Sequence, residues 1–284
     1  SIRPKHNWPR KHVGTKFITT AVLVRNLVVY ILVNLHAWTR SMKPTLRVYL
    51  EDPYVRELSA TVIDYVHEKG DRYYVVLDRT IFHPRSGGQP SDTGVAMGHN
   101  LEFSVLKVLE IDNVLVHYGK VVKGALEREL PIKLLVNWDF RYLVMKLHTA
   151  GHILDGAVMR VYGKVLNTLD AHHGPPEAYV VYDAGDVPGI DKLKLIEEYA
   201  NKITQESRPV KAYWVKREEL PLRAYNAPNL QRLPVRDAYR IVEIEGINAI
   251  PCTGTHVKDT SEVGRIKVLK AEPHSRGFKL VYSI

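Results

Sequence analysis

Residues 137–163 read NWDFRYLVMKLHTAGHILDGAVMRVYG. Leu143, Leu147, Ala150, Leu154, Val158 and Val161 recur at steps of three and four, the spacing of one apolar helix face. Asn137 or Asp139 suits the N-cap and Gly163 the stop, so the pattern predicts a helix over 139–162. Gly151 and Gly156 each weaken such a helix by about 1 kcal/mol relative to alanine. Their small size also lets another backbone or a ligand come close. His148 and His152 are four apart and share one helix face, one turn apart. Alone, that pair is an ordinary feature of surfaces and cores.

Upstream of this helix the period changes. Arg47–Leu50, Ser59–His67, Arg72–Asp78, Leu101–Ile111, Val114–Lys120 and Glu129–Val136 read as strands, from alternation or from β-branched and aromatic residues. Glu68-Lys69-Gly70-Asp71, Asp112-Asn113 and Lys123-Gly124 are turn signals between them. Several short strands with regular turns suggest a small barrel. Among them lies Arg85-Ser-Gly-Gly-Gln-Pro-Ser-Asp-Thr-Gly94. Its paired glycines allow unusual backbone angles and close approach. It lacks the Gly-Lys-Ser/Thr ending of a P-loop.

Downstream, Leu193, Ile196, Ala200 and Ile203 give a second helix over Asp191–Glu206. Val210–Val215 and Tyr239–Ile244 read as strands, and Gly264–Ala271 with Gly277–Ile284 as a closing hairpin. The irregular alternation predicts an α+β fold: a β-rich, barrel-like domain over 44–135, then an α+β domain over 136–284.

The length of 284 residues suits two compact domains, and 45% apolar residues are enough for a real core. The net charge of +9 invites a nucleic-acid reading. Residues 1–41, however, hold seven basic residues and no acidic one, leaving only +2 for the rest. An RNA-binding face must therefore come from local clustering. Residues 17–38 form an apolar stretch long enough to span a bilayer, but Arg25, Asn26 and Asn34 interrupt it. Residues 1–43 thus read as an appendage or an over-extended gene start, with a core element and a membrane anchor as alternatives. A membrane association is not expected, and the single cysteine suits a reducing cytoplasm.

That cysteine, Cys252, stands four residues before His256 around Pro251 and Gly254, which argue for a tight loop. With His148 and His152 it completes a set of three imidazoles and one thiol. Such donors suit zinc rather than calcium or magnesium, which take oxygen. A zinc peptidase places a glutamate beside its first histidine, and Thr149 stands there instead. A Cys-His hydrolase with Cys252 as nucleophile leaves His148 and His152 unexplained.

The set His148-Thr-Ala-Gly-His152 with Cys252-Thr-Gly-Thr-His256 resembles the editing domain of alanyl-tRNA synthetase. The loop Ser86–Gly94 is similar to the glycine-rich motif preceding that domain, and Asn137-Trp-Asp-Phe-Arg141 to the segment entering its first metal helix. The resemblance covers roughly Val48–Ile284, and it is closest to the free-standing AlaX proteins of medium length. It implies a zinc-dependent trans-editing hydrolase that removes serine, and also glycine, from alanine tRNA, without using ATP. It implies one Zn2+ at His148, His152, Cys252 and His256, with three ligands plus water as open as four. The rival reading is a tRNA-binding module with a purely structural zinc site.

Thr80, Gly87, Gly88 and Gln89, in or beside the glycine-rich segment, are the candidate substrate contacts. A hydroxyl or amide there would bond the serine hydroxyl and so spare alanine. Arg141 and Lys146 are the candidate tRNA contacts, while Lys211, Lys216 and Arg217 are read as facing solvent. His172-His173, in a Gly/Pro loop, is read as a solvated pair.

Overall fold

The computed structural model describes residues 34–284. The readings of residues 1–33, and with them most of the apolar stretch 17–38, lie outside the described residues. Among the described residues no helix is long and apolar enough to cross a membrane. Residues 45–110 with 115–284 make one compact unit, and among the described residues 34–44 with 111–114 cluster separately.

The fold is α+β. Its first part is a closed barrel of six strands: β1 (Glu57–Lys69), β2 (Arg72–Leu77), β3 (Gly94–Gly98), β4 (Leu101–Ile111), β5 (Val114–Gly124) and β6 (Pro131–Val136). Around the barrel they run β1-β2-β5-β4-β3-β6. Closure depends on β1, which pairs with β6 along Glu57–Thr61 and with β2 from Val62 onward, with a register shift between Val62 and Asp64. Such a shift bends a strand and increases its twist, so one long strand serves both neighbours. Inward positions such as Val62, Val75, Leu77, Phe103, Val105 and Leu134 fill the interior. The Asp112-Asn113 turn has positive φ at both residues, 51° and 66°, as the two-residue β4–β5 hairpin requires.

Two details of this first part differ from the sequence reading. The strand expected over Arg47–Leu50 is a two-residue strand, Leu46–Arg47, followed by a 3₁₀ turn, Val48–Leu50, that buries Tyr49. Strand β3, following the glycine-rich loop, is a barrel member that the pattern did not reveal. Its Gly-Val-Ala-Met-Gly sequence is too poor in β-formers to stand out.

The second part is built on helix α1 (Trp138–Tyr162). Asn137 caps it by accepting from the Phe140 amide, and Gly163 ends it with φ 70°. Helix α2 (Ile190–Gln205) packs on α1 through Ile196, Ala200 and Ile203. Two sheets accompany them. The first contains β7 (Thr168–His172), β8 (Ala178–Asp183), β12 (Lys267–His274) and β13 (Gly277–Ser283), in the order β12-β13-β8-β7. The second contains β9 (Val210–Lys216), β10 (Ala238–Ile244) and β11 (Asn248–Pro251), in that order. The apolar side of α1, from Met145 to Val158, lies in one core with residues of β8, β13 and α2. That core holds α1 firmly and leaves the histidine face directed toward β11 and the loop after it.

Candidate metal centre

Helix α1 supplies His148 and His152, and the loop leaving β11 supplies Cys252 and His256. One donor atom from each lies within 4.8 Å of the other three. Cys252 Sγ is 3.6 Å from His148 Nε2 and 3.5 Å from His256 Nε2. The ring centroids of His148 and His256 are 4.3 Å apart, and those of His152 and His256 4.5 Å. Residues about a hundred positions apart in the chain are thus brought to one point. The group can hold a metal ion.

The surroundings orient the rings. His148 Nδ1 donates to Gln89 Oε1 at 2.9 Å, because that oxygen already accepts from the Thr255 amide at 2.9 Å. The Gln89 amide nitrogen donates to Thr255 Oγ1 at 2.8 Å. His148 Nε2 is therefore left with its lone pair facing Cys252. Thr149 Oγ1 lies 3.1 Å from His256 Nδ1 and accepts from the Val257 amide at 3.2 Å. The residue that stands where a peptidase has its glutamate serves here to orient His256. His152 Nδ1 is buried without a hydrogen-bond partner in the protein. Tethered outer nitrogens and inward-facing inner ones are the second-sphere pattern of metal-binding imidazoles.

Burial acts on the titrations in the same direction. Desolvation lowers His148 and His256 well below the usual imidazole range and His152 to about 4, so all three are neutral. The Cys252 thiol is pushed up by desolvation, while the Gly254 amide, 3.3 Å from Sγ, and nearby Arg240 pull it down. Three neutral imidazoles around one thiol make a donor set that fits a cation.

The loop Cys252–His256 keeps its shape through Arg240. This buried side chain on β10 donates from Nη1 to Cys252 O at 3.0 Å and to Gly254 O at 3.1 Å. A side chain at Gly254 would overlap the His148 ring, so only glycine lets the loop pass so close. The glycine-rich loop approaches from the barrel side. Gly87 and Gly88 both have positive φ, 56° and 77°, and form a two-residue hairpin turn closed by Ser86 and Gln89. Gly88 O accepts from the His173 amide at 2.8 Å.

A cavity of about 590 Å3 opens beside the group. Its buried or half-buried inner walls include His148, His152, Asp155, His173, Cys252 and Arg240, and its exposed rim includes Trp214, Pro234 and Arg236. Asp155 Oδ1 accepts from Tyr182 OH at 2.8 Å, and burial pushes its carboxyl up to about 7.

Several site expectations change. Thr80 is fully buried in the barrel, bonded to His117 Nε2 at 2.9 Å and to the Phe82 amide, and does not line the cavity. Gln89 is also fully buried; both ends of its amide are taken by Thr255 and His148, so it positions a ring rather than a substrate. Gly87 and Gly88 do line the cavity. Arg141 is 0% exposed: its guanidinium meets Asp92, Pro53 O and Ile81 O, leaving nothing for a phosphate. It joins α1 to the glycine-rich loop. Lys146 is half-buried, with its ammonium 5.2 Å from the Tyr142 ring centroid. His173 is not solvated. It is buried, stacks on His148 at 4.5 Å and bonds Tyr282 OH at 2.7 Å. The sequence reading missed Asp155, His173 and Arg240. Asp155 carried a usable signal, three residues after His152 on the same helix side.

Two family models match the chain: "tRNA synthetases class II (A)" over residues 55–140, and "Threonyl and Alanyl tRNA synthetase second additional domain" over residues 239–282. The alanine–tRNA ligase of Ignicoccus hospitalis is 34% identical over 239 residues, covering 82% of this chain and 25% of the ligase. The alanyl-tRNA editing protein AlaX-L of Pyrococcus horikoshii is 37% identical, covering 79% of this chain and 54% of its own length. The AlaX-M protein of Methanosarcina barkeri is 33% identical over 245 residues, covering 84% of this chain and 98% of AlaX-M. The chain belongs to the AlaX family of alanyl-tRNA editing proteins. It spans about a quarter of the ligases it matches and about half of AlaX-L. The segments that carry the sequence resemblance meet at the candidate metal centre: the two histidines on α1, the Cys252–His256 loop, and the glycine-rich turn behind them.

Proposed function

We propose that the protein hydrolyses the ester of alanine tRNA mischarged with serine, and also with glycine, and that it does so with one zinc ion held by His148, His152, Cys252 and His256. The observation that carries this reading is the convergence of these four donors, three of which, His148, His152 and Cys252, line an open cavity. A purely structural zinc has no need of such a cavity. Zinc, when bound, supplies Lewis acidity toward the ester.

The chain's own residues do the rest. Gln89 and Thr149 hold the His148 and His256 rings with Nε2 turned inward. Arg240 and the absent side chain of Gly254 keep the Cys252 loop in place. Asp155, with one carboxylate oxygen engaged by Tyr182, offers the other to the α-ammonium of the aminoacyl group. Thr168 and Thr253 also line the cavity, and they replace Thr80 and Gln89 as candidates for the serine hydroxyl. In this reading residues 44–135 present the glycine-rich turn, and residues 136–284 carry the chemistry.

The test is deacylation of seryl-tRNA and glycyl-tRNA by the purified chain, beside Cys252→Ala, with metal content measured by mass spectrometry. The wild type is expected to release serine, and the variant to lose more than about 100-fold of that rate along with its zinc. A folded, zinc-loaded protein that leaves both esters intact would falsify the proposal and leave the tRNA-binding module with a structural zinc.

A further inference from the structure

The sheet β9-β10-β11 runs from the metal centre to the surface. Arg240 stands opposite Trp214 in the β9–β10 register. On the other side the pairing Ile241 with Pro251 continues one step, and the Cys252 amide donates to Arg240 O at 2.9 Å. Cys252, Arg240 and Trp214 are thus neighbours in one row across three strands. Residues directly opposite each other share a face of the sheet. At about 4.8 Å per strand, Trp214 lies about 10 Å from Cys252 along this row.

Trp214 is 51% exposed, and among the described residues it is the only exposed tryptophan or phenylalanine. Besides Arg240 opposite it and Lys216 on its own strand, its neighbours on the same face include two small exposed residues, Ala212 on its own strand and Ala238 diagonally across. The indole stays half exposed. Lys216, next on that face, and Arg236, on the cavity rim, put positive charge around it. Arg240, between the indole and the thiol, makes no ion pair among the described residues, and its Nη1 bonds go to backbone carbonyls.

An exposed aromatic ring beside cationic side chains is the arrangement that binds unpaired nucleotides, the ring stacking on the base and the cations meeting phosphates. The spacing matches an ester-bearing terminal nucleotide, since one ribose separates the ester on its 3′ oxygen from its base. We infer that Trp214 is the platform on which the 3′-terminal base of the RNA stacks while its ester reaches the Cys252 end of the row. The inference rests on the editing reading and adds a nucleobase subsite to it.

A binding cycle tests it without any turnover. The full chain is titrated with an uncharged RNA hairpin ending in a single-stranded CCA, and with the same hairpin lacking its last base. Trp214→Ala and Trp214→Phe are titrated alongside, with thermal melts to confirm that each variant is folded. Trp214→Ala is expected to weaken binding of the intact hairpin roughly 10- to 100-fold. Trp214→Phe should stay within about threefold, because a ring is retained. Removing the base should weaken wild-type binding by a similar factor and Trp214→Ala hardly at all. Additive losses, an unchanged affinity in Trp214→Ala, or no binding of the hairpin by the wild type each overturn the platform. Hydrolysis of seryl-tRNA by the wild type is scored separately: its absence removes the editing reading, and its presence with a failed cycle removes only Trp214.

Discussion

In the barrel, His117 has a partner at each ring nitrogen, Thr80 Oγ1 at 2.9 Å and Val75 O at 3.2 Å. At the candidate metal centre, His148 and His256 are each tethered through Nδ1 alone, and their Nε2 atoms turn toward one sulfur. Both groups are buried, and in both desolvation depresses the imidazole pKa, that of His117 to about 4. Burial and neutrality are therefore common to a structural histidine and a candidate ligand. Between His117 and these two rings the difference lies in what the second nitrogen meets. For His117 it meets an oxygen of the barrel, and the ring becomes part of the core. For His148 and His256 it meets only the Cys252 sulfur, at 3.6 and 3.5 Å, so their inner nitrogens are collected at one point. Leaving them so is costly unless something binds there.

The strongest way to break this contrast is to remove a donor from each region. His256→Ala is expected to abolish stoichiometric zinc, read by mass spectrometry, and to lower deacylation by more than about 100-fold. His117→Ala should leave zinc content unchanged. Equal loss of metal in both variants would mean that the contrast has no functional content.

Arg141 is next in size. Its buried ion pair with Asp92 joins the two parts of the fold, and removing one partner of such a pair costs about 3–5 kcal/mol. Arg141→Ala should therefore lower the denaturation midpoint sharply while the salt dependence of RNA affinity stays as it was. A shallower salt slope would restore Arg141 as a phosphate contact.

His117 then separates titration from ligation. Its folded pKa of about 4 lies below the unfolded value near 6.5, so between these the unfolded chain binds more protons. Stability is thus fully present above pH 6.5 and declines as the pH falls to 4, by about 3 kcal/mol. His117→Gln should remove this one-proton component from urea midpoints measured across the window. An unchanged pH slope would show that His117 titrates normally in the fold.

The smallest effect concerns orientation. Gln89→Ala leaves all four donors in place but frees the His148 ring, and loss of such a partner typically costs 10- to 100-fold in metal affinity. Competition with a chromophoric chelator would measure it. An unchanged affinity would show that packing against His173 suffices to hold the ring.

How much of this was legible depended on range. Helix α1 could be read almost to its ends because cap, periodicity and stop are local: Asn137, the apolar stripe and Gly163 lie within one segment. The β4–β5 hairpin was legible for the same reason, through Asp112-Asn113. Strand β3 was not, since its membership comes from pairing with β4 and β6 rather than from its own composition. Arg141 misled because a charged residue on a helix ordinarily faces solvent, and the Asp92 that neutralises it lies 49 positions away. His173 misled because its Gly/Pro surroundings signal a loop, and a loop position carries no mark of being folded under β13 against Tyr282.

By itself, then, the sequence determined the α+β class, the main helices and turns, and the identity of four residues able to ligate a metal. Those follow from local backbone preferences and from donor chemistry, which each residue carries wherever it goes. The tertiary structure alone decided that the four donors meet, that Gln89 and Thr149 aim them, and that Trp214 stands in the same row at the surface. These are relations between distant segments, set by strand register and core packing rather than by any property of a single stretch.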